Sequence, residues 1–348
     1  MRIAIATVQV PFVRGGAEVL TEMLRDELKK RGHEAEIVSI PFAWHPWQVL
    51  ARSMHMGRMM DLSDATGLKI DKVIAMKFPA YYLRHDRKVY WLMHQHRQVY
   101  DFWNTPYSDI ECLENGEQIQ DWICTCDKKY LSEGGKIFTI ARTVSERLKK
   151  YCGLDSRPLY HPPLHCEKLH CETYGDYIFY PSRIDPLKRQ YLLVEAAKYF
   201  RSNAKVLLAG SGSAEEVDAL QQQIKKNRVE DRVRVAGYIS EEEKLAHYAN
   251  CLAVYFGTYD EDYGYITLES MFAEKPVIVH TDAGGPLEFV RDGENGFVIP
   301  PEPQEIARVV DELYLNREKA IHLGKQGKVS LKNKQMDWDY VIDQLLSD

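Results

Sequence analysis

The chain lacks any uncharged apolar run of about 18 residues, so no segment reads as a membrane-spanning helix. It lacks an excess of positive charge as well. Lys and Arg total 45 against 51 Asp and Glu, a net charge of −6, and a dedicated nucleic-acid binder would carry a basic field instead. Cysteine is sparse: seven in 348 residues, scattered and odd in number. That argues against a disulfide framework and for a reducing, cytoplasmic compartment. Glycine and proline number 21 and 15, too few for a collagenous or low-complexity chain. No G-x-G-x-x-G follows the first apolar run, which disfavours a dehydrogenase. The N-terminal MRIAIATVQVPF has one Arg and no small-residue cleavage site, and it reads as a strand rather than a signal peptide. What is present is ordinary: 45% apolar and 28% charged residues, in a length that suits about two domains.

The order of elements is an alternation. A buried-strand run from Arg2 to Val10 leads through Gly15-Gly16 into a helix near 17–31, and a second strand follows at 34–40. This β-α-β opening predicts a parallel sheet. Further strands are expected at 73–76, 89–93 and 137–140, with a helix at 143–151. Tyr160-His161-Pro162-Pro163 looks like a hinge. Beyond it a second series places strands at 177–181, 205–209, 233–236, 252–256, 276–280 and 296–299. Helices are expected between most of these, at 190–200, 214–227, 241–250 and 267–272, and two more at 304–316 and 317–327. The fold class is α/β, with two doubly wound Rossmann-like domains. A last helix from about Asp337 is expected to return to the first.

In an open parallel sheet, ligands sit beyond the carboxyl ends of the strands. In the second half those ends carry Arg183 and Lys188, then Gly210 and Gly212, then Gly237-Tyr238, then the segment from Glu261 through Gly264 to Glu269, and finally Gly284-Gly285. Singly, each has a plain explanation: a solvated face, a turn, or an acidic loop at 260–262. Together on one rim they combine cations, glycines that admit a close ligand, helix starts that favour anions, and carboxylates that accept bonds from hydroxyls. That set suits a phosphate-bearing sugar or nucleotide.

The segment Glu261-Asp-Tyr-Gly-Tyr-Ile-Thr-Leu-Glu269 resembles the E-x7-E signature of retaining glycosyltransferases of family 4, which have the GT-B fold. Ser182-Arg183 with Lys188, Ala209-Gly-Ser-Gly212, Gly237-Tyr-Ile239, Lys275-Pro-Val-Ile278, Asp282-Ala-Gly-Gly-Pro286 and Asp292-Gly-Glu-Asn-Gly296 agree with it. The likeness is weaker in the first half, at Gly15-Gly16-Ala-Glu18, His94-Gln-His96 and Thr143-Val-Ser-Glu146. It implies an acceptor-binding domain over 1–165 with a return helix at 335–348, and a donor-binding domain over 166–334, facing each other across a cleft. The donor would be a UDP- or GDP-sugar, and a hexosyl unit would pass to a glycan, small-molecule or lipid-linked acceptor. By the same resemblance Arg183 and Lys188 hold the diphosphate, Glu261 contacts the donor sugar and Glu269 the ribose. Gly264, Tyr265, Ile266 and Thr267 support the distal phosphate, main chain at Tyr238 meets the base, and Gly15-Gly16 approach the phosphate from the other domain. His94 matches a histidine near the donor sugar, with His96 its rival. Two departures stand out: Glu274 and Gln190 occupy positions where glycine is frequent.

No cofactor and no metal are expected. His165-Cys166, His170-Cys171, Cys124 and Cys126 fit no closed four-ligand spacing. The stretch holding Trp44, Trp47, Arg52, Met54, Met56, Arg58, Met59 and Met60 reads either as core and acceptor pocket or as a basic amphipathic helix touching the inner face of a membrane. Rival activities on the same frame are a nucleotide-sugar epimerase, a phosphorylase, or an inactive nucleotide-sugar binder.

Overall fold

Runs of β-branched and apolar residues buried on both faces build two parallel sheets in this chain. The computed structural model describes residues 1–43 and 45–347; Trp44 lies outside them. The chain divides into unit 1, residues 1–164 and 336–348, and unit 2, residues 165–335.

Unit 1 contains β1 (Arg2–Gln9), α1 (Gly16–Lys30), β2 (Glu34–Pro41), α2 (Trp47–Met59), an antiparallel hairpin of β3 (Asp64–Ala65) and β4 (Leu68–Lys69), β5 (Lys72–Ala75) and β6 (Lys88–Leu92). It continues with α3 (Gly116–Leu131), β7 (Ile137–Thr139), α4 (Arg142–Cys152) and β8 (Arg157–Pro158). The main sheet runs β2-β1-β5-β6-β7-β8. β1 pairs in parallel with β2 (Ile3 opposite Ala35) and with β5 (Ile3 opposite Lys72). Residues Ile3 to Ala6 are at most 3% exposed, because helices cover both faces of a doubly wound sheet, and this is why they read as a continuous apolar run. Strand order reverses between β1 and β5, which makes that junction the switch point of unit 1.

Helix α3 was not expected from the sequence, and its buried face explains why. Ile119, Ile123, Asp127 and Leu131 recur every four residues and all are buried, but the third is a carboxylate that breaks the apolar stripe. Asp127 Oδ1 accepts from Tyr81 Oη (3.0 Å) and Tyr82 Oη (2.6 Å), and Oδ2 from Tyr100 Oη (2.8 Å) and Gln95 Nε2 (3.2 Å). Burial raises the Asp127 pKa, and these four donors oppose the rise. Helix α2 buries Leu50, Met54 and Gly57 and leaves Met56 and Met59 exposed.

Unit 2 contains β9 (Tyr177–Pro181), α5 (Gln190–Ala197), β10 (Lys205–Ala209), α6 (Ala214–Asn227), β11 (Val233–Gly237), α7 (Glu241–Asn250) and β12 (Ala253–Phe256). It continues with α8 (Tyr265–Phe272), β13 (Val277–His280), β14 (Gly296–Ile299), α9 (Pro303–Leu315) and α10 (Arg317–Leu331). Its sheet runs β11-β10-β9-β12-β13-β14, every pair parallel. The reversal lies between β9 and β12. Capping boxes start α6 (Ser213 with Glu216) and α7 (Ser240 with Glu243), which is why those two boundaries were legible. Helix α8 starts two residues earlier than its apolar pattern suggested, because Gly264 caps it from left-handed backbone (φ 84°).

The final helix α11 (Trp338–Leu346) belongs to unit 1. Val341, Ile342 and Leu345 are buried. Trp338 meets the edge of Trp91 at 6.2 Å, and Lys72 Nζ donates to the Leu346 carbonyl at 2.7 Å. Among the described residues no helix is long and apolar enough to cross a membrane.

Candidate functional site

At the switch point of unit 2, backbone hydrogen bonds join three loops, those following β9, β12 and β13. Tyr259 N donates to Leu187 O (2.8 Å), Asp260 N to Asp282 O (2.8 Å), Glu261 N to Ala283 O (2.8 Å) and Gly285 N to Glu261 O (2.7 Å). Lys188 ends a short 3₁₀ turn, Pro186–Lys188, capped at its start by Asp185, whose Oδ1 accepts from Leu187 N at 2.8 Å. Its ammonium forms a close ion pair with Glu261 Oε2, which also accepts from Thr258 Oγ1 at 3.1 Å. The two side chains are 17% and 24% exposed, so the pair is screened from bulk water yet reachable. Arg183, on the same loop as Lys188, is exposed, and its guanidinium bonds none of the described residues. Its carbonyl accepts from Gln190 Nε2 at 2.6 Å.

Glu269 lies one turn into α8 and is 7% exposed. Tyr248 Oη donates to its Oε2 at 2.6 Å, and Lys244 Nζ to its Oε1 at 3.1 Å. Burial works against the Lys244 ammonium, but the carboxylates of Glu269 and Glu241 together hold its pKa above the ordinary lysine value. Each Glu269 oxygen retains a second lone pair for a ligand hydroxyl. Thr267 is fully buried, and its Oγ1 has no partner among the described residues; it stands in the first turn of α8, where backbone N–H groups favour an anion. Tyr238, just after β11, is 80% exposed.

Gly210 and Gly212 owe their identity to the chain itself. A Cβ at Gly210 would lie 2.0 Å from the Ser182 carbonyl, and one at Gly212 would lie 2.8 Å from Ile184. They let the loop after β10 press against the loop carrying Arg183. The glycine-favouring departures are also resolved. Glu274 has φ 55°, as expected where glycine is frequent. On the β9 loop the left-handed residue is Arg189 (φ 51°), one before the expected Gln190, which is instead the first residue of α5.

The pairing of Arg189 with Asp282 was missed by sequence reasoning, which placed Asp282 only within the Asp282-Ala-Gly-Gly-Pro286 segment. They are 93 positions apart, and only the doubly wound topology brings their loops together. The Arg189 side chain is 6% exposed. It donates to both Asp282 oxygens (2.9 and 2.7 Å), to the Gly257 carbonyl (2.7 Å) and to the Thr258 carbonyl (2.8 Å). Lys244 and Tyr248 were missed too, although their four-residue spacing on α7 places them on one helical face.

Behind the site, His280 Nε2 is bonded to Tyr255 Oη at 2.6 Å. Burial, and then the charge of Arg189, push the imidazole down to about 4. Unfolded histidine titrates at about 6.5. Between those values the unfolded chain takes a proton that the folded chain refuses. This contribution is therefore complete above about pH 6.5 and is lost as pH falls toward 4. The melting temperature is expected to fall from pH 7 to pH 5, and His280→Gln is expected to flatten that fall. Parallel melting curves for the two proteins across this range, by scanning fluorimetry, would reject the assignment.

In unit 1, Gly15 caps α1 from extended backbone, and its N–H donates to Glu18 Oε2 at 2.8 Å; Gly16 is the first residue of α1. His94 is half-buried, with Nδ1 bonded to the Gln95 carbonyl. His96 is 7% exposed, and burial, then His94, lower its pKa to about 3. Among the described residues no three His, Cys, Asp or Glu side chains are grouped as metal ligands.

Residues 168–330, nearly all of unit 2, match the family described as glycosyl transferases group 1. Among curated proteins, the chain is 32% identical over 155 residues to a putative glycosyltransferase, EpsD, of Bacillus subtilis, covering 43% of this chain and 39% of that one. It is 30% identical over 122 residues to the alpha-1,3/1,6-mannosyltransferase ALG2 of Dictyostelium discoideum, covering 35% and 29%. The chain thus spans well under half the length of these relatives. Among solved structures, sucrose-phosphate synthase from Thermosynechococcus elongatus superposes with a TM-score of 0.79 at 16% identity, over 99% of this chain and 97% of that one. Anabaena HepE in complex with UDP-glucose gives 0.72 at 16% identity, over 98% of each. The fold is that of GT-B glycosyltransferases.

Proposed function

We propose that this chain is a retaining, metal-independent glycosyltransferase. It moves a hexosyl unit from a UDP- or GDP-sugar to a hydroxyl of a glycan, small-molecule or lipid-linked acceptor. The observation that carries the reading is the Lys188–Glu261 ion pair at the β9/β12 switch point, with the exposed Arg183 on the same loop as Lys188 and Glu261 in the loop that leads into α8. A site for a simple anion gains nothing from a carboxylate on its cation. A site for a sugar diphosphate does. The diphosphate takes the ammonium, and Glu261 turns its second oxygen to a sugar hydroxyl. Glu269, held by Tyr248 and Lys244, is the acceptor for the ribose diol.

As the bond between the anomeric carbon and the diphosphate breaks, negative charge gathers on the leaving oxygen. Arg183, Lys188 and the first N–H groups of α8 stabilise that charge from fixed positions, and the buried Thr267 hydroxyl lies in the first turn of that helix. The HepE complex with UDP-glucose and the mannosyltransferase relative support a nucleotide-sugar donor and a sugar product.

The test is a thermal-shift screen of UDP, GDP, ADP and their sugars, followed by product analysis. A ligand at one hundred times its Kd adds about 2.7 kcal/mol of apparent stability, enough for a clear rise in melting temperature. One nucleotide series is expected to give that rise, and its sugar to give a product with the donor's anomeric configuration by NMR. No shift with any nucleotide, or an inverted product, would overturn the proposal.

A further inference from the structure

Near the start of unit 2, a lysine and a cysteine from distant parts of the chain meet. Lys275 lies in the turn between α8 and β13 and is fully buried. Its backbone is fixed at both ends: Lys275 N donates to the Ser270 carbonyl at 2.9 Å, and Ser270 Oγ donates to the Lys275 carbonyl at 2.9 Å. Its side chain reaches the segment at 171–174. Nζ donates to Cys171 Sγ at 3.1 Å and to the Thr173 carbonyl, and it lies 4.1 Å from the centre of the Tyr174 ring. That segment is held in turn. Glu172 N and Thr173 N both donate to the Ala249 carbonyl (2.9 and 3.1 Å), and Tyr174 Oη donates to the Glu274 carbonyl at 2.6 Å.

A lysine this deep ordinarily faces a carboxylate. Among the described residues none pairs with Lys275; its partners are a carbonyl, a ring face and a sulfur. Of these, the sulfur is the one that oxidation can join to nitrogen. Cys171 is partly exposed, between the exposed His170 and Glu172. A small oxidant therefore reaches the sulfur from solvent, with the amine directly behind it. Among the described residues no other cysteine sulfur is bonded to a lysine amine. The rival partner is Cys251, which is fully buried, donates to the Tyr248 carbonyl at 3.6 Å and interacts electrostatically with Cys171.

We propose that Cys171 and Lys275 form an oxidative cross-linking site, at which hydrogen peroxide joins the sulfur to the nitrogen. Peroxide first oxidises the thiol: the O–O bond breaks, an S–O bond forms, one water leaves and the sulfur becomes a sulfenic acid. Nζ gives a proton to solvent and attacks that sulfur. The S–N bond forms, the S–O bond breaks, and the hydroxyl leaves with an amine hydrogen as a second water. Sulfur has given up two electrons and the peroxide has taken them. A second peroxide instead keeps the sulfenic oxygen as an S–O–N bridge: an O–N bond forms, nitrogen gives up two electrons, and two waters and one proton leave. Either bond closes the chain across 104 positions, from the segment that enters unit 2 to the turn that ends α8. It forms whether or not the chain transfers sugar.

The test treats the whole chain with hydrogen peroxide until the exposed Cys112 is oxidised. Remaining thiols are alkylated and tryptic peptides are read by mass spectrometry. Trypsin spares the Lys275-Pro276 bond, so residues 169–183 carry Cys171 and residues 245–291 carry both Lys275 and Cys251. These two peptides are expected as a joined pair, lighter than their sum by two hydrogens, with or without one added oxygen, and with fragment ions placing the bond at Lys275. The pair is expected to account for most of Cys171, to persist in Cys251→Ala, to vanish in Cys171→Ser and to come apart with dithiothreitol. Cys171 is partly exposed, so its serine variant is expected to fold. A bond placed at Cys251, lost in Cys251→Ala, is a disulfide and overturns the proposal. So does Cys171 recovered as a free thiol or as a sulfinic acid, with Lys275 unmodified.

Discussion

Arg183→Ala and Lys188→Ala are each expected to reduce sugar transfer by about 10- to 150-fold or more, with the melting temperature held within a few degrees. A hydrogen bond to a charged group is worth roughly 1.5–3 kcal/mol net, and that energy enters the rate when it is realised as the diphosphate departs. Stability is spared for a different reason in each variant. Arg183 is exposed and its guanidinium bonds none of the described residues, while its carbonyl, which the substitution keeps, holds the bond from Gln190. Removing Lys188 leaves Glu261 its bond from Thr258 Oγ1, with access to water. Initial rates at saturating donor, beside melting curves, check both halves of the statement. Wild-type turnover in both variants would remove the two cations from the reaction.

Arg189→Leu is expected to act the other way, on the fold first. Four bonds from one guanidinium tie the loops after β12 and β13 to the residue next to Lys188. Breaking a buried pair by removing one partner costs about 3–5 kcal/mol. Asp282 keeps a third of its surface in water, so the lower end of that range is expected. Denaturant unfolding measures it. Arg189→Lys keeps the charge but loses the bidentate fork, and it is expected to recover only part of the stability. A loss below about 1 kcal/mol for Arg189→Leu, the size of a surface pair, would mean that the loops hold themselves through their backbone bonds alone.

The second half of the chain was largely legible because its punctuation is local. Capping boxes mark α6 and α7, and short runs of buried residues bounded by turns mark β9 and β10. Lys188 and Glu261, placed on one rim by the strand-end rule, are in direct contact. What the sequence hid is long-range or polar. Asp127 interrupts the buried stripe of α3 with a carboxylate, and its compensating tyrosines lie 27 to 46 positions away. The hydroxyl and ammonium holding Glu269 come from another helix. Glycines expected to admit a ligand, Gly210 and Gly212, are required first by Ser182 and Ile184. Chain packing and ligand access both demand a missing side chain, and sequence alone does not separate the two demands.

The placement of α11 sets an order on biosynthesis. Because residues 338–346 pack onto unit 1, unit 2 is an insertion within unit 1 along the polypeptide. A chain emerging from the ribosome holds every residue of unit 2 before it holds the last helix of unit 1. The unit begun first is finished last: until this helix arrives, Trp91 lacks its contact with Trp338 and the unit 1 surface that buries Val341, Ile342 and Leu345 stays uncovered.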